Sequence, residues 1–265
     1  MRTVFLGGGR ITSALLAGLR LRKHDQPLIV HDRHAAKLRA LKKQFAVETE
    51  PDLQTAVRQA DLLVIAVRPM SVLELLREIG GIDRACMAVS LAAGVPLKLL
   101  RTAVGAPVQW ARAMPSPVCR IGCGLTAVTF ARGFPQSRRA AVKKFFSSVS
   151  TVVELPESKF DAFTVTYSPS HGYHALATLA KAGEQIGLDR KTALAAAAHA
   201  LGEGVLSWRE GELSLAELLH EAATPGGIAA TAMDAMDKAG YLTIVRRSLQ
   251  AGVARAKANA SSNKR

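Results

Sequence analysis

The chain has 265 residues, of which 49% are hydrophobic and 21% are charged, and this balance supports a sizeable buried core and excludes a chain that is disordered over most of its length. The formal net charge of +14 suits nucleic acid, a membrane surface or small anions as partners, but the basic cluster at residues 132–144 has neither a nucleic-acid motif nor a stacking platform of interleaved aromatic residues. We therefore predict no nucleic-acid partner and interpret the charge as attracting a phosphorylated cofactor and a carboxylate substrate.

Short apolar segments alternate with helical patterns in the first part of the chain. The apolar segments are residues 3–6, 28–30, 62–67 and 87–91. Amphipathic or charge-rich stretches with helical spacing separate them. This alternation predicts β-α-β units and a parallel sheet that helices cover on both faces.

The pattern changes near Pro156, and from Ser158 onward the sequence is typical of long helices. Residues 193–200 are nearly all alanine, which strongly favours a helix. We predict an α/β Rossmann-type nucleotide-binding domain over residues 1–156 and an all-α substrate and dimerisation domain over residues 157–265. The small, polar and basic end of the chain, residues 260–265, is expected to be disordered.

A glycine motif follows the first apolar segment. Gly7, Gly9 and Thr12 stand where the three residues of a Gly-x-Gly-x-x-Gly dinucleotide fingerprint are found, with a strand pattern before them and a helical pattern after them. Gly7 permits a tight turn, and Gly9 lets the backbone approach a pyrophosphate at the N-terminus of a helix. Thr12 replaces the usual third glycine or alanine, so the packing of helix on strand must accommodate a β-branched residue.

Acidic and basic residues stand together at the end of the second predicted strand. Asp32 lies about 20 residues past the glycines, where a ribose-binding acid is expected, and this position favours NAD. Arg33, His34 and Lys37 follow it and favour NADP, because cations bind a 2′-phosphate. We prefer NADP as the cofactor, and NAD stays open.

The cysteines and apolar runs indicate a cytoplasmic protein. Cys86, Cys119 and Cys123 form no CxxC pair and no four-ligand zinc pattern, and we interpret them as buried thiols in a reducing compartment. His199 and Glu203 are one helical turn apart, but without a third ligand we expect a hydrogen-bonded pair and no metal site. No apolar signal stretch opens the sequence and the apolar runs are too short to span a bilayer, so we predict no membrane partner.

Several segments, in their order and spacing, resemble the pyrroline-5-carboxylate reductase family. In the first part of the chain the similarity rests on residues 5–9, 61–69, 90–94 and 112–115. In the second part it rests on residues 160–162, 182–183, 186–188 and 225–227.

This resemblance implies a Rossmann domain, a helical domain that interlocks with a second subunit, and an active site between the domains to which both subunits contribute. The expected assembly is a homodimer or a larger oligomer. The implied activity is NAD(P)H-dependent reduction of the C=N bond of a small cyclic imino acid, first of all 1-pyrroline-5-carboxylate to proline, in proline biosynthesis. The cofactor contacts are expected at the glycine loop and at the ends of the strands, from Gly7, Gly9, Arg10, Ile11, Asp32, Arg33, Ala66, Val67, Arg68, Pro69, Ala92, Met114 and Pro115.

The segments expected to touch the substrate depart from the residues usual in the family. Met-Pro-Asn-Thr-Pro is replaced by Met-Pro-Ser-Pro-Val at residues 114–118. Ser-Gly-Ser-Gly-Pro-Ala-Tyr becomes Tyr-Ser-Pro-Ser-His-Gly-Tyr at residues 167–173, and Ser-Pro-Gly-Gly-Thr-Thr becomes Thr-Pro-Gly-Gly-Ile-Ala at residues 224–229. A threonine typical of the helix between these motifs is replaced by His199.

Hydroxyl groups and a histidine in these segments are the candidates for catalysis. Imine reduction mainly requires that the nicotinamide be held near the imine carbon. Ser168 and Ser170 precede a long helical pattern and are expected to cap it or bind a carboxylate, while Thr224 precedes a Pro-Gly-Gly turn. Histidine is the side chain that most often transfers protons in catalysis, so His171 is a candidate proton donor; the other possible donors are Tyr167, Tyr173 and His199.

Three functions remain open on the sequence. The first is an NADP-dependent reductase of pyrroline-5-carboxylate. The second keeps the cofactor but acts on another imine or a ketone, because residues 167–173 are substituted. The third is a non-catalytic paralogue that binds a dinucleotide.

Overall fold

The computed structural model describes the backbone of residues 1–262 and the side chains of residues 1–259. In these residues one sheet has the strand order β3-β2-β1-β4-β5-β6-β7-β8. The strands are β1 (Thr3–Leu6), β2 (Leu28–His31), β3 (Glu48–Thr49), β4 (Leu62–Ile65), β5 (Met87–Ser90), β6 (Gln109–Pro115), β7 (Leu125–Phe130) and β8 (Thr151–Glu154). The four apolar segments that the sequence predicts as strands are β1, β2, β4 and β5.

Helices connect these strands and cover both faces of the sheet. They are α1 (Arg10–Leu21), α2 (Ala35–Phe45), α3 (Leu53–Gln59), α4 (Val72–Ile79), α5 (Leu97–Ala103) and α6 (Gln136–Ser147). Because side chains alternate along a strand, Phe5 joins the core under α1, α2 and α6, whereas Val4 joins the core under α3, α4 and α5. The predicted two-sided α/β architecture is confirmed.

The sheet departs from the prediction at one pair of strands. β7 runs antiparallel to β6, and every other pair is parallel. Residues 116–124 join β6 to β7, and this segment is too short for the crossover of a dozen or more residues that a parallel pair needs. The predicted parallel sheet is therefore present, with one antiparallel pair that the sequence did not predict.

The order of the strands places a crevice between β1 and β4. The chain proceeds outward from β1 to β2 and β3, then returns to the other side of β1 at β4. Ligands of open α/β sheets bind outside the carboxyl ends of the strands at such a switch point. Ala66 and Val67, which the sequence predicts inside a strand, follow the end of β4 and belong to this edge.

The described residues from 157 to 262 form helices and their connections, as predicted. The helices are α7 (Glu157–Thr166), α8 (Ser170–Gln185), α9 (Arg190–Glu210), α10 (Leu215–Ala222), α11 (Ile228–Lys238) and α12 (Tyr241–Ser262). Within this part α8 packs on α9, and an added Cβ at Gly183 would lie 3.3 Å from the Cβ of Ala193. Small residues thus allow the two helices to approach closely.

The chain divides into two compact units. One contains Met1–Val165 and the chain from Gly252 onward, and the other is Thr166–Ala251. Helix α7 packs in the first unit, where Phe160 is completely buried, and the predicted boundary between residues 156 and 157 stays a prediction. The helix α12 runs through Ser262, and residues 263–265 of the tail expected to be disordered lie outside the described residues. None of the described helices is both long enough and apolar enough to cross a membrane.

Candidate functional site

The glycine loop after β1 holds the ends of three strands together. Gly7 has φ +110°, and an added Cβ would lie 2.8 Å from the carbonyl oxygen of Ala66. A side chain is therefore excluded both by the backbone conformation and by the neighbouring chain. The Gly7 amide donates to the carbonyl of His31 over 2.8 Å, which links the loop to the end of β2.

Thr12, in the first turn of α1, stabilises the same glycine loop. Its side chain is fully buried, and its Oγ1 donates a hydrogen bond to the Gly7 carbonyl oxygen over 2.5 Å. The hydroxyl thus satisfies a backbone acceptor that the tight turn leaves inside the protein. This contact explains how a β-branched residue is accommodated at a position usually held by glycine or alanine.

Space remains open at the N-terminus of α1. Gly9 is the N-cap residue, and no side chain caps the helix. Apart from Gly9 and its immediate neighbours in the chain, no atom of the described residues lies within 4 Å of the position of an added Cβ at Gly9. The uncapped amides and the positive end of the helix dipole thus form a place where an anion can approach the backbone.

Asp32 anchors the loop from the end of β2. Its Oδ2 accepts from the Gly8 amide over 2.9 Å, and its Oδ1 accepts from the His34 amide over 2.9 Å. The His34 imidazole and the Lys37 ammonium also contact the carboxylate, at 2.9 and 3.3 Å. Partial burial raises the pKa of Asp32, but the hydrogen bonds from Gly8 and His34 outweigh it and hold the pKa at about 2, so the group is a carboxylate at neutral pH.

This depressed pKa predicts a pH-dependent contribution to stability. Asp32 contributes fully above its ordinary pKa of 3.8, and the contribution, about 2 kcal/mol, is lost as the pH falls toward 2. The difference in unfolding free energy between the wild type and Asp32→Asn is expected to be largest near about pH 6 and to shrink toward about pH 3. Urea unfolding at several pH values measures this difference. A difference that stays constant over this range contradicts the lowered pKa of Asp32. Asp83→Asn is the control, because Asp83 is exposed.

Two half-exposed cations, Arg33 and Lys37, follow Asp32 in the chain. Arg33 pairs with Glu78 at 2.6 Å and with Glu74 at 3.6 Å, and its side chain is half exposed. Such exposed pairs contribute little to stability, so the guanidinium can exchange these partners for a phosphate at low cost. Lys37 is also half exposed and neutralises part of the charge of Asp32.

A crevice of about 340 Å³ brings these groups together at the switch point. Sequence reasoning missed His31, Ser71 and Leu75 in its walls, because no motif marks them. The predicted cofactor residues in its walls are Gly7, Gly9, Asp32, Arg33, Ala66, Val67 and Arg68.

The other predicted cofactor residues are not in the walls of this crevice. Ala92 follows β5, and Met114 and Pro115 end β6. Because β1, β4, β5 and β6 are parallel neighbours, these residues lie at the same edge of the sheet, farther from β2. Arg10 and Ile11 begin α1, and Pro69 begins a short 3₁₀ helix; the roles of all six residues stay predictions.

The predicted substrate residues are all in the unit Thr166–Ala251. Ser170 is the first residue of α8, and neither serine caps the helix: the N-cap residue is Pro169, without a side-chain hydrogen bond. The capping expectation is wrong, because the Ser168 and Ser170 hydroxyl groups bond to each other over 2.7 Å. His171 is exposed on α8, and Thr224 is exposed before α11.

Sequence reasoning also missed a buried ionic cluster, which we call the Arg112 cluster. Arg112 on β6 is 1% exposed, and its guanidinium contacts Glu157 at 3.3 Å and Asp161 at 2.8 Å on α7. It lies over the Phe160 ring, 4.5 Å from the ring centroid. The Glu157 carboxylate also accepts from the Leu97 amide over 2.7 Å. The acidic partners are more than forty residues away in sequence, so no local pattern points to them.

Cysteine and histidine residues do not gather into a metal site in the described part of the chain, where no three His, Cys, Asp or Glu side chains come together. Cys86 and Cys119 are buried, as expected, and burial raises the pKa of Cys119 to about 11. Cys123 is exposed, which corrects the expectation of a buried thiol. The expected hydrogen-bonded pair is present, with 2.6 Å between His199 Nδ1 and Glu203 Oε1.

Comparison with known proteins matches both parts of the chain. Residues 157–259 match the family model described as pyrroline-5-carboxylate reductase dimerisation. Residues 2–94 match a second family model, described as NADP oxidoreductase, coenzyme F420-dependent. A pyrroline-5-carboxylate reductase from Synechocystis sp. is 31% identical over 94% of this chain and 95% of its own. The pyrroline-5-carboxylate reductase from Corynebacterium melassecola is 28% identical over 93% of this chain and 94% of its own.

Solved structures agree with this match at the level of the fold. The pyrroline-5-carboxylate reductase of Streptococcus pyogenes superposes with a TM-score of 0.88 at 23% identity, covering 97% of this chain and 98% of that one. The pyrroline-5-carboxylate reductase of Coxiella burnetii superposes with a TM-score of 0.86, also at 23% identity and with the same coverage of both chains. The similarity thus extends over both units of the chain.

Proposed function

The chain belongs to the pyrroline-5-carboxylate reductase family, and on this premise we propose that it reduces 1-pyrroline-5-carboxylate to proline with NADPH. The observation that carries the proposal is the 31% identity to a pyrroline-5-carboxylate reductase over nearly the whole length of both chains. The reaction class is therefore hydride transfer to a C=N bond by an NAD(P)-dependent oxidoreductase.

The residues around the glycine loop fit a dinucleotide. The open space at Gly9 and the uncapped N-terminus of α1 suit a pyrophosphate, which needs close backbone approach and amide donors. Asp32 keeps the loop in place through the Gly8 amide. Arg33 and Lys37, two cations in the walls of the crevice, are proposed to bind the 2′-phosphate, which is the group that distinguishes NADPH from NADH.

The protein's own part in the reaction is to hold and orient the reactants. When bound, NADPH supplies the hydride that reduces the imine carbon. Hydroxyl groups at the start of α8 and before α11 are proposed to hold the substrate carboxylate, and His171 to hold a proton at the imine nitrogen. The groups proposed to contact the nicotinamide are Ala92, Met114 and Pro115, and those proposed for the carboxylate are Ser168, Ser170 and Thr224.

The preference for NADPH is expected to depend on Lys37. In Lys37→Ala a phosphate ligand is lost, and the Asp32 carboxylate that Lys37 partly neutralises then faces the 2′-phosphate. We expect the KM for NADPH to rise about tenfold or more, since a hydrogen bond between charged groups contributes roughly 1.5–3 kcal/mol. The KM for NADH is expected to change by less than about twofold.

Arg39→Ala is the matched control for this measurement, because Arg39 is an exposed cation on the same helix that is not in the walls of the crevice. Steady-state kinetics with both nucleotides decide the outcome. An equal change in the two KM values contradicts a role for Lys37 in recognising the phosphate.

A homodimer or a larger oligomer is part of the proposal. In the unit Thr166–Ala251, Ile186, Ile228 and Leu242 are 85%, 92% and 78% exposed, and an apolar groove of about 480 Å³ between α9 and α10 includes Trp208. Exposed apolar surfaces of this extent are typical of association sites, and the matched family region is described as dimerisation. We propose a homodimer formed through this unit, in the cytoplasm; light scattering that gives the mass of one chain contradicts it.

The activity is tested with purified protein, NADPH and a panel of substrates. Loss of absorbance at the nicotinamide band is expected with 1-pyrroline-5-carboxylate. A clear preference for another imine or a ketone instead favours the alternative motivated by the substituted residues 167–173. Binding of NADPH without turnover of any compound favours a non-catalytic paralogue.

A further inference from the structure

The Arg112 cluster connects segments that are distant in the sequence. Its guanidinium joins the middle of β6 to the first turn of α7, and Glu157 extends the connection to the first residue of α5 through the Leu97 amide. The carboxylate of Glu157 therefore fixes the start of α5 and the guanidinium with the same oxygen, Oε1.

Two of these segments lead directly to the residues proposed to contact the nicotinamide. Arg112 is two residues before Met114 in β6. The loop of residues 91–96 ends at Leu97, and this loop contains Ala92. A displacement of Glu157 thus acts on the loop through Leu97 and on β6 through Arg112.

Helix α12 holds the same loop from another side. Gly94 has φ +76°, and an added Cβ would lie 2.1 Å from the carbonyl oxygen of Ala256. On the same helix, an added Cβ at Gly252 would lie 2.9 Å from Val165, at the end of α7. The loop is therefore confined between the Glu157 carboxylate and the backbone of α12, with little freedom to adjust by itself.

The crevice beside the glycine loop, where the adenosine half of the cofactor is proposed to bind, depends on other contacts. It is formed by the glycine loop after β1 and by Asp32 after β2. None of the residues in the walls of that crevice belongs to the Arg112 cluster. The crevice and the Arg112 cluster are thus built from separate sets of side chains.

A buried ion pair is weak grounds for a role in stability, because desolvation offsets most of the attraction. Its geometry is nevertheless well determined, because the guanidinium is planar, has fixed donor directions and lies against Phe160. A rigid ion pair of this kind can fix the backbone segments near a reacting centre. There, a displacement of the reactants by about 1 Å reduces the rate strongly.

We propose that Arg112 and Glu157 are positioning residues that set the nicotinamide end of the cofactor site through Leu97 and β6, an inference that rests on the proposed function. They touch neither cofactor nor substrate in this proposal. Their effect is on the placement of Ala92 and Met114, so it concerns the nicotinamide half of NADPH and not the adenosine half.

Glu157→Ala is the test variant. Glu157 is partly exposed, and when its carboxylate is removed Arg112 keeps Asp161 as a partner. Glu154→Ala is the matched control. Glu154 is a carboxylate of similar exposure three residues earlier, and it pairs with Arg139 and Lys143, outside the Arg112 cluster. Arg112→Lys is the second variant, since it keeps the buried charge but does not provide the planar fork that bridges two carboxylates.

Three quantities are measured for each protein: the Kd of NADPH, the Kd of adenosine 2′,5′-bisphosphate, which lacks the nicotinamide, and kcat with 1-pyrroline-5-carboxylate. For Glu157→Ala we expect NADPH to bind about fivefold or more weakly and kcat to fall about tenfold or more. The Kd of the bisphosphate is expected to stay within about twofold. Arg112→Lys is expected to give the same pattern with smaller changes, and Glu154→Ala no change.

A Glu157→Ala protein with unchanged NADPH affinity and kcat overturns the inference, and so do equal losses for NADPH and the bisphosphate. Thermal melting shows that the variant is folded at the temperature of the measurements. If the wild type binds NADPH but does not reduce 1-pyrroline-5-carboxylate, the proposed function fails, while the comparison of the two affinities still decides the inference.

Discussion

Replacement of Gly18 by alanine is expected to lower the unfolding free energy by about 3 kcal/mol, although alanine is the better helix former by about 1 kcal/mol. Gly18 is buried in α1, where an added Cβ would lie 2.0 Å from the carbonyl oxygen of Cys119 and 3.0 Å from Val149. The nearest atom is backbone and cannot rotate away. Helix α1 therefore has to separate from the 3₁₀ segment Pro117–Ile121.

Denaturant unfolding of Gly18→Ala measures this loss, and Gly81→Ala is its control. Gly81 follows α4 with no atom within 4 Å of an added Cβ and no positive φ, so alanine there is expected to change the unfolding free energy by less than about 1 kcal/mol. A Gly18→Ala protein as stable as the wild type contradicts the close packing of α1 on this segment.

Replacement of Gly9 by alanine is expected to reduce NADPH affinity about a hundredfold without loss of stability. The backbone at Gly9 has φ −83° and ψ −171°, which alanine adopts without strain. Beyond the immediate chain neighbours, the described part of the protein has no atom within 4 Å of the added methyl group. The methyl group does occupy the space through which a pyrophosphate reaches the amides of α1, so the effect falls on the cofactor alone.

Titration with NADPH and denaturant unfolding of the same protein separate these two effects. Gly81→Ala again serves as the control, and its NADPH affinity is expected to equal that of the wild type. If Gly9→Ala binds NADPH normally, the cofactor phosphates do not approach the backbone at this loop and the proposed site is wrong.

The parts of the fold that the sequence predicts correctly depend on local patterns. The strands β1, β2, β4 and β5 are short apolar runs bounded by helical stretches, and Gly7 is needed because the turn requires φ +110°. The direction of β7 was not predictable in the same way. It depends on the length of the connection from β6, and the pattern of hydrophobic residues gives the face of a strand but not its direction.

The candidate site was predictable where a local motif forms it. The glycine loop and Asp32 belong to one β-α-β unit, and both line the crevice. The hydrogen bond from Thr12 to the Gly7 carbonyl was not foreseen, although the two residues are close in sequence. The partners of Arg112 are distant in sequence and depend on how α7 packs on the sheet.

The prediction that Ser168 and Ser170 cap α8 failed for a local reason. A side chain at the N-cap position is needed to accept from the first amides of the helix, and Pro169 occupies that position. The two hydroxyl groups bond to each other instead. Their proposed role toward the substrate carboxylate does not depend on capping.

We propose that this chain transfers a hydride from NADPH to the imine carbon of 1-pyrroline-5-carboxylate. The most direct measurement uses NADPH that carries deuterium at the transferred C4 position and examines the product by mass spectrometry and NMR. We expect proline that contains one deuterium at the carbon of the former C=N bond. Proline without deuterium, or no proline formed by a protein that binds NADPH, would contradict it.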